Sequence, residues 1–173
     1  AVEMGFDVET TYYHGTNTDI IEFDVGADAG FRMLGDGIYL TDNATKASGY
    51  GDRVIPTFVK GRLASNDDLV RIAPKVYRDA PVRLGYSAER SMINNQLTIE
   101  GFDGIDAGQE ILIFDPKNIR SINAAFDPDN AGSANLLAQA KDQGYEGTDT
   151  GEATEWLAAV AKGLDMTTEG RMA

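Results

Sequence analysis

The chain of 173 residues contains no cysteine, one histidine, and 28 acidic residues against 15 basic ones, for a formal net charge of -13. This length suits one domain that buries roughly two-thirds of its unfolded surface. Without cysteine neither disulfides nor thiolate metal sites can form, and with one histidine a zinc site would need carboxylates for almost all of its ligands, so we expect no metal. The negative charge repels polyanions and no lysine or arginine cluster offsets it, which argues against extended nucleic-acid binding.

Nothing in the sequence indicates a membrane partner. No segment approaches the ~20 apolar residues of a membrane-spanning helix. The first residues, AVEMGFD, lack the basic and apolar regions of a signal peptide. We therefore expect a soluble protein of the cytoplasm.

Short apolar runs bounded by glycine, aspartate and asparagine predict strands along the first 126 residues. These strands cover residues 11–16, 37–41, 54–61, 109–115 and 119–125. Helices are fewer in this part. Asp42 is a suitable N-cap for a helix over 43–50, and Ser87 for another that runs to about Leu97, with Gly101 ending the helical stretch.

The pattern changes after the FDP of residues 126–128. SANLLAQA (133–140) and EATEWLAAVAKG (152–163) predict two helices joined by a polar, glycine-rich connector, and Trp156 is expected to anchor the second by packing. We therefore expect one domain over 1–128 and a helical appendage over 129–173, which either packs on that domain or links it to a further module. Helix-like patterns at both ends predict a piece of a longer polypeptide.

The run TYYHGT contains the only histidine of the chain. Strand alternation places Tyr12, His14 and Thr16 on one face and Tyr13 on the other. His14 by itself fits either a hydrogen-bonded structural histidine or a functional one. Gly15 beside it lets another group, such as a ligand, approach the backbone closely.

The run GIYLTDNATKASGY (37–50) places two tyrosines eleven positions apart. By strand alternation Ile38 and Leu40 face the core, whereas Tyr39 faces the other side. The following helix has small residues that permit close packing, and it would bring Tyr50 back toward Tyr39. Two rings so placed can grip a flat heteroaromatic ligand between them, although a tyrosine of this kind is also common in a core or at its rim.

Glu110 stands at the start of the apolar strand in QEILIFDP, where its carboxylate would meet the mouth of a cleft or simply be solvated. Asp103 and Asp115 are expected to shape turns. What distinguishes Glu110 is its place in a series along the chain: a histidine, a tyrosine, a second tyrosine and then a carboxylate.

This series, in these local sequences, resembles the His-Tyr-Glu group of ADP-ribosyltransferases, which includes the poly(ADP-ribose) polymerases and the diphtheria-toxin type. YHGT (13–16), GDGIYLTDNATKASGY (35–50) and QEILIFDP (109–116) are similar to the three motifs of that group. Residues 12–128 look most like the ADP-ribosyltransferase-like domain of large phage and prophage polyvalent proteins. If the chain comes from a phage, the cytoplasm expected for it is the host's.

The resemblance implies an α+β fold with two small, mostly antiparallel sheets packed around a cleft for NAD, which is the substrate and cofactor. His14 would bond a ribose hydroxyl of the adenosine, supported by Thr16, and the backbone of Gly15 would hold the nicotinamide carboxamide. Ser48 is the candidate for a serine that the family often places one position earlier. Arg32 would meet the pyrophosphate, unless it is a solvated loop arginine.

The catalytic residues implied by the resemblance are Glu110, His14 and Tyr39. Tyr39 and Tyr50 would sandwich the nicotinamide ring, and Glu110 would accept a hydrogen bond from the 2'-hydroxyl of the nicotinamide ribose. Gln109 would contact the acceptor. A fixed carboxylate stabilises the positive charge that develops on the sugar as nicotinamide leaves.

The function implied is a mono-ADP-ribosyltransferase that uses NAD to modify a protein acceptor. An NAD glycohydrolase would use the same groups with water as the acceptor. A non-catalytic NAD-binding or virion-associated interaction module is the alternative outside enzymes. An RNA 2'-phosphotransferase shares the fold, but the charge of -13 argues against an RNA substrate.

Overall fold

The structure, a computed structural model, describes residues 1–25, 33–79 and 85–137. Its strands are β1 (Phe6–Thr16), β2 (Ile38–Leu40), β3 (Arg53–Lys60), β4 (Leu63–Ala64), β5 (Gly104–Asp106), β6 (Ile111–Ile113) and β7 (Ile119–Ser121). Its α-helices are α1 (Ala44–Ala47), α2 (Asn66–Asp79) and α3 (Tyr86–Ile99). Short 3-10 helices cover Val2–Met4, Pro116–Asn118 and Pro128–Asn130.

The strands form two sheets. The first has the order β1-β3-β7 and is antiparallel throughout. The second has the order β2-β6-β5-β4, with antiparallel pairs except for the parallel pair of β4 and β5. The predicted α+β fold with two mostly antiparallel sheets is therefore confirmed.

Strand β6 shows how the layers are stacked. Its three residues are all buried, but they face two different cores. Leu112 lies in a cluster with residues of α2 and α3, whereas Ile111 and Ile113 lie in a cluster with residues of β3 and β7. The four-stranded sheet is thus covered by helices on one face and by the three-stranded sheet on the other, which explains why the run ILI is apolar without alternation.

The sequence pattern predicted no helix over the residues that form α2. Pro74 lies inside it, and proline in an apparent helix is normally read as a break. Ile72 and Val76 nevertheless face the helix-side core, one turn apart. Burial of this apolar stripe outweighs the local cost of the proline.

Two predicted helix starts also differ. Asn43, not Asp42, caps α1, because its side-chain oxygen accepts a hydrogen bond from the backbone N–H of Lys46 at 3.0 Å. Helix α3 begins at Tyr86 after the N-cap Gly85, so Ser87 lies within its first turn. The predicted strand 119–125 is shorter than expected and ends at Ser121.

Over residues 129–137, the described part of the predicted appendage, the structure has no α-helix. Asn135 forms an antiparallel bridge with Glu22. The backbone N–H of Leu136 donates to the carbonyl of Ile21 at 2.8 Å, and the carbonyl of Leu136 accepts from Ser121 at 3.0 Å. The start of the helix predicted at 133–140 is therefore wrong over 133–137. Pairing with residues 21, 22 and 121 takes the place of helix formation.

Leu136 also shows that residues just after 128 pack on the domain, one of the two arrangements that the sequence left open. It is 2% exposed and belongs to the cluster between the two sheets. The second predicted helix and Trp156 lie outside the described residues, and the division of the chain at residue 128 stays a prediction. Within the described ranges, no helix combines the length and the apolar character that crossing a membrane requires.

We expect Leu136→Ala to lower the free energy of unfolding by about 2–3 kcal/mol, because it leaves a cavity in the core between the sheets. Urea unfolding followed by circular dichroism measures this change. Leu137→Ala is the matched control, since Leu137 is only partly buried. Equal and small losses for both variants would mean that this segment does not pack on the domain.

Candidate active site

The two sheets are joined where β1 passes the end of β2. The backbone N–H of Tyr13 donates to the carbonyl of Thr41 at 2.7 Å, and the N–H of Thr41 donates back to the carbonyl of Tyr13 at 3.0 Å. Both residues line a cavity of about 560 Å³ that lies beside this bridge. The cavity is large enough for a sizeable ligand.

Helix α1 packs unusually close to β1. A Cβ atom added to Gly15 would lie 1.8 Å from the carbonyl oxygen of Ala47, and one added to Gly51 would lie 2.2 Å from the backbone carbon of Thr16. The group that approaches Gly15 is thus the end of α1. This approach lets α1 and the residues after it, up to Tyr50, form one wall of the cavity.

His14 lies on β1 with its imidazole partly buried in this cavity. Its Nδ1 is 2.9 Å from the carbonyl oxygen of Tyr39, and because a carbonyl only accepts, Nδ1 carries the proton. Its ring packs edge-on against Phe23, with centroids 4.8 Å apart. Burial lowers the pKa of His14, and the hydrogen bond to Tyr39 partly opposes this. A neutral ring presents Nε2 as an acceptor.

The lowered pKa of His14 gives a prediction that NMR can test on the only histidine in the chain. We expect the imidazole to titrate below 6.5, its ordinary value, because burial disfavours the charged ring. As the pH falls below 6.5, the unfolded chain takes up this proton before the folded one does, so the free energy of unfolding should fall. His14→Gln should remove that part of the slope. A pKa at or above 6.5 would contradict the burial of the ring.

Tyr39 is held by its hydroxyl, which makes two hydrogen bonds at the far end of the side chain. Its hydroxyl accepts from the backbone N–H of Leu34 and donates to the carbonyl of Gly35, both at 2.9 Å. Its ring packs against the helix-side core and also lines the cavity. Tyr50 lines the same cavity but is 60% exposed. One aromatic side chain is therefore held rigidly, and the other lies at the mouth.

Glu110 closes the turn between β5 and β6, where its carbonyl accepts from the backbone N–H of Ala107 at 3.0 Å. Its carboxylate lines the cavity, 3.4 Å from the hydroxyl of Tyr50 and 3.7 Å from Nζ of Lys46. Lys46 also donates to the carbonyl of Gln109 at 3.1 Å. The carboxylate is thus held at the cavity and not turned into the apolar interior.

Lys46 is a site residue that the sequence reasoning missed. It lies four positions before Tyr50, a spacing that puts two side chains on the same side of a helical turn. Because Tyr50 is a candidate site residue, this spacing indicates that Lys46 lies near the same site. The pairing with Glu110 could not be foreseen, since the two residues are 64 positions apart in the chain.

Residues 10–129, more than half of the chain, match the family described as ADP-ribosyltransferase in polyvalent proteins. The chain belongs to this family. The resemblance stated from the motifs is thereby confirmed, and ADP-ribosylation is the general activity of the family to which the domain belongs. The comparisons with curated proteins and with solved structures gave no match.

Most residues predicted for an ADP-ribosyltransferase site come together in this structure. The cavity is lined by His14, Gly15, Thr16, Tyr39, Tyr50 and Glu110. The Thr16 hydroxyl also contacts the hydroxyl of Thr18 at 3.1 Å and accepts from its backbone N–H. In the described part of the chain, no three carboxylates or imidazoles are grouped as a metal site would need.

One predicted ligand residue of the ADP-ribosyltransferase site, Ser48, does not line the cavity. The hydroxyl of Ser48 donates to the carbonyl of Thr45 at 2.8 Å at the end of α1, and its side chain does not line the cavity. At the preceding position, Ala47 does line it. Arg32 lies outside the described residues.

Proposed function

We propose that this domain binds NAD in the cavity, cleaves its nicotinamide glycosidic bond and transfers single ADP-ribose units to a protein acceptor. The observation that carries the proposal is that Glu110 shares one cavity with His14, Tyr39 and Tyr50. These residues come from four separate segments of the chain. Their convergence supports a common ligand, since a ring platform, a neutral imidazole and a carboxylate serve different parts of one dinucleotide.

His14 would bind the adenosine ribose. Its Nδ1–H is engaged by the carbonyl of Tyr39, so Nε2 is left as an acceptor for a ribose hydroxyl. Thr16 lies two residues further along β1 and lines the same wall. The fixed tautomer gives this end of the cavity a defined hydrogen-bonding role before the ligand arrives.

The nicotinamide ring would lie between Tyr39 and Tyr50. Tyr39 is held by its hydroxyl and offers a preorganised face, whereas the exposed Tyr50 is placed to cover the ring after it enters. Each aromatic contact of this kind contributes about 0.5–1.5 kcal/mol beyond the burial of area.

Glu110 would stabilise the positive charge that develops on the ribose as the glycosidic bond breaks. A carboxylate held in place contributes more to the transition state than to the neutral sugar of the ground state. Lys46 and the hydroxyl of Tyr50 hold this carboxylate in the free protein. The same carboxylate can accept a hydrogen bond from the 2'-hydroxyl of that ribose.

The protein acceptor would approach from the side of Tyr50 and the β5–β6 turn. Tyr50 is largely exposed, and the turn from Ala107 to Glu110 is short and presents Gln109 beside the carboxylate. An open mouth with a short turn leaves little surface to hold a growing ADP-ribose chain. This favours single transfers.

Incubation of the purified protein with labelled NAD and a bacterial lysate tests the proposal. We expect label on one or a few proteins, located by mass spectrometry, together with release of nicotinamide. Nicotinamide release without labelled protein would instead identify an NAD glycohydrolase. Binding of NAD without release of nicotinamide would identify a non-catalytic module.

A further inference from the structure

The loop of residues 33–36 controls the position of Tyr39. Leu34 donates to the hydroxyl of Tyr39 and Gly35 accepts from it, and Met33 of the same loop lines the cavity. Because the hydroxyl both accepts from this loop and donates to it, a change in the shape of the loop displaces both of these hydrogen-bond partners of the Tyr39 side chain. The contacts that fix the loop therefore also help to fix the orientation of the Tyr39 ring.

Helix α3 holds this loop through two side chains. Nδ2 of Asn94 donates to the carbonyl of Leu34 at 3.2 Å and lies 3.5 Å from the carbonyl of Asp36. The hydroxyl of Tyr86, about two turns earlier in the helix, donates to the carbonyl of Met33 at 2.6 Å. The carbonyls of Met33, Leu34 and Asp36 thus accept hydrogen bonds from side chains of α3.

The fit between Asn94 and the loop is tight. Gly35 has a φ of +100°, and a Cβ atom added there would lie 2.6 Å from Nδ2 of Asn94. The amide orientation follows from its surroundings, because a flipped amide would point its oxygen at two carbonyl oxygens. Both the glycine and the donor are needed for this contact.

Asn94 is 8% exposed, and its Oδ1 has no hydrogen-bond partner within the described residues. A buried acceptor without a partner costs free energy. The Asn94 amide therefore donates to the loop carbonyls, while its own Oδ1 has no hydrogen-bond partner among the described residues.

We propose that Asn94 is a positioning residue that fixes loop 33–36 and, through this loop, the phenol of Tyr39 and the wall formed by Met33. The kinetic consequence rests on the proposed function, since it assumes that Tyr39 contacts NAD. The structural link from Asn94 through the loop to the Tyr39 hydroxyl does not depend on that function.

Amide hydrogen exchange tests the structural link without any assay of activity. In Asn94→Leu, which keeps the side-chain volume but removes the donor, we expect the Leu34 amide to exchange about tenfold faster or more. Amides in β3 should be unchanged. Asn95→Leu is the matched control, because Asn95 is exposed on the same helix. A Leu34 amide as protected in Asn94→Leu as in the wild type would overturn the inference.

A double-mutant cycle with Tyr39→Phe tests the kinetic consequence. Asn94→Leu should lower kcat/KM for NAD about five- to tenfold in the wild-type background and less than about twofold when the Tyr39 hydroxyl is already absent. Equal effects in the two backgrounds would show that Asn94 does not act through that hydroxyl. If the wild type does not turn NAD over, the proposed function fails, and the exchange experiment still decides this inference.

Discussion

Glu110→Gln is expected to lower kcat for NAD cleavage about 10²–10³-fold while leaving the affinity for NAD within about threefold of the wild type. The substitution keeps the size of the side chain and removes its charge. Only the transition state carries the positive charge that this carboxylate stabilises, so the loss should appear in kcat and not in binding. Nicotinamide release and calorimetric titration with NAD measure the two quantities separately.

Glu100→Gln is the matched control for this experiment. Glu100 is paired with Arg71 at 2.7 Å and does not line the cavity, so this variant should keep wild-type turnover. The role assigned to Glu110 would be wrong if Glu110→Gln kept its kcat. If the variant lost NAD affinity while kcat stayed unchanged, the carboxylate would act in binding alone.

Gly15→Ala is expected to lower the free energy of unfolding by about 4 kcal/mol, which is exceptional for one methyl group. The new Cβ atom would lie 1.8 Å from the carbonyl oxygen of Ala47, and because that oxygen belongs to the backbone, no rotamer change relieves the overlap. Helix α1 must move, and Lys46 and Tyr50 move with it. We therefore also expect KM for NAD to rise at least about tenfold in the folded fraction.

Gly132→Ala separates this packing effect from the general effect of replacing glycine. Nothing lies within 4 Å of a Cβ atom at Gly132, so its free energy of unfolding should change by less than about 1 kcal/mol. Urea unfolding of both variants gives the comparison. Equal stabilities for the two would show that α1 does not depend on close contact with Gly15.

The sequence pattern predicts burial correctly where the residues of one short segment decide it. The alternation in GIYLT predicted that Ile38 and Leu40 face the core, and both are buried between the sheets. It failed where a partner outside the segment decides the structure. Leu136 pairs with Ile21, 115 positions earlier, and with Ser121, so a stretch with helical character does not form an α-helix over its described residues.

The candidate site likewise combines residues that local motifs predict with residues whose roles depend on distant partners. Tyr39, Tyr50 and Glu110 were named from motifs, and all three line one cavity. Ser48 was named from its position beside Ala47, but a change of one residue turns a side chain about 100° around a helix, and its hydroxyl instead caps a carbonyl within α1. The sequence does not point to the side-chain contacts of Lys46 or Asn94, because their partners lie 58 or more positions away.

The amino-acid sequence by itself indicated the family, because short motifs carry the resemblance, and through that resemblance it indicated the class of fold and the chemical types of the candidate site residues. The tertiary structure alone decided which of these residues share a cavity and what holds them there. Close packing of Gly15 against Ala47 and the reach of Asn94 to the loop of Tyr39 are contacts between distant segments. Such contacts form only when the sheets and helices bury their apolar faces together, and no local pattern records them.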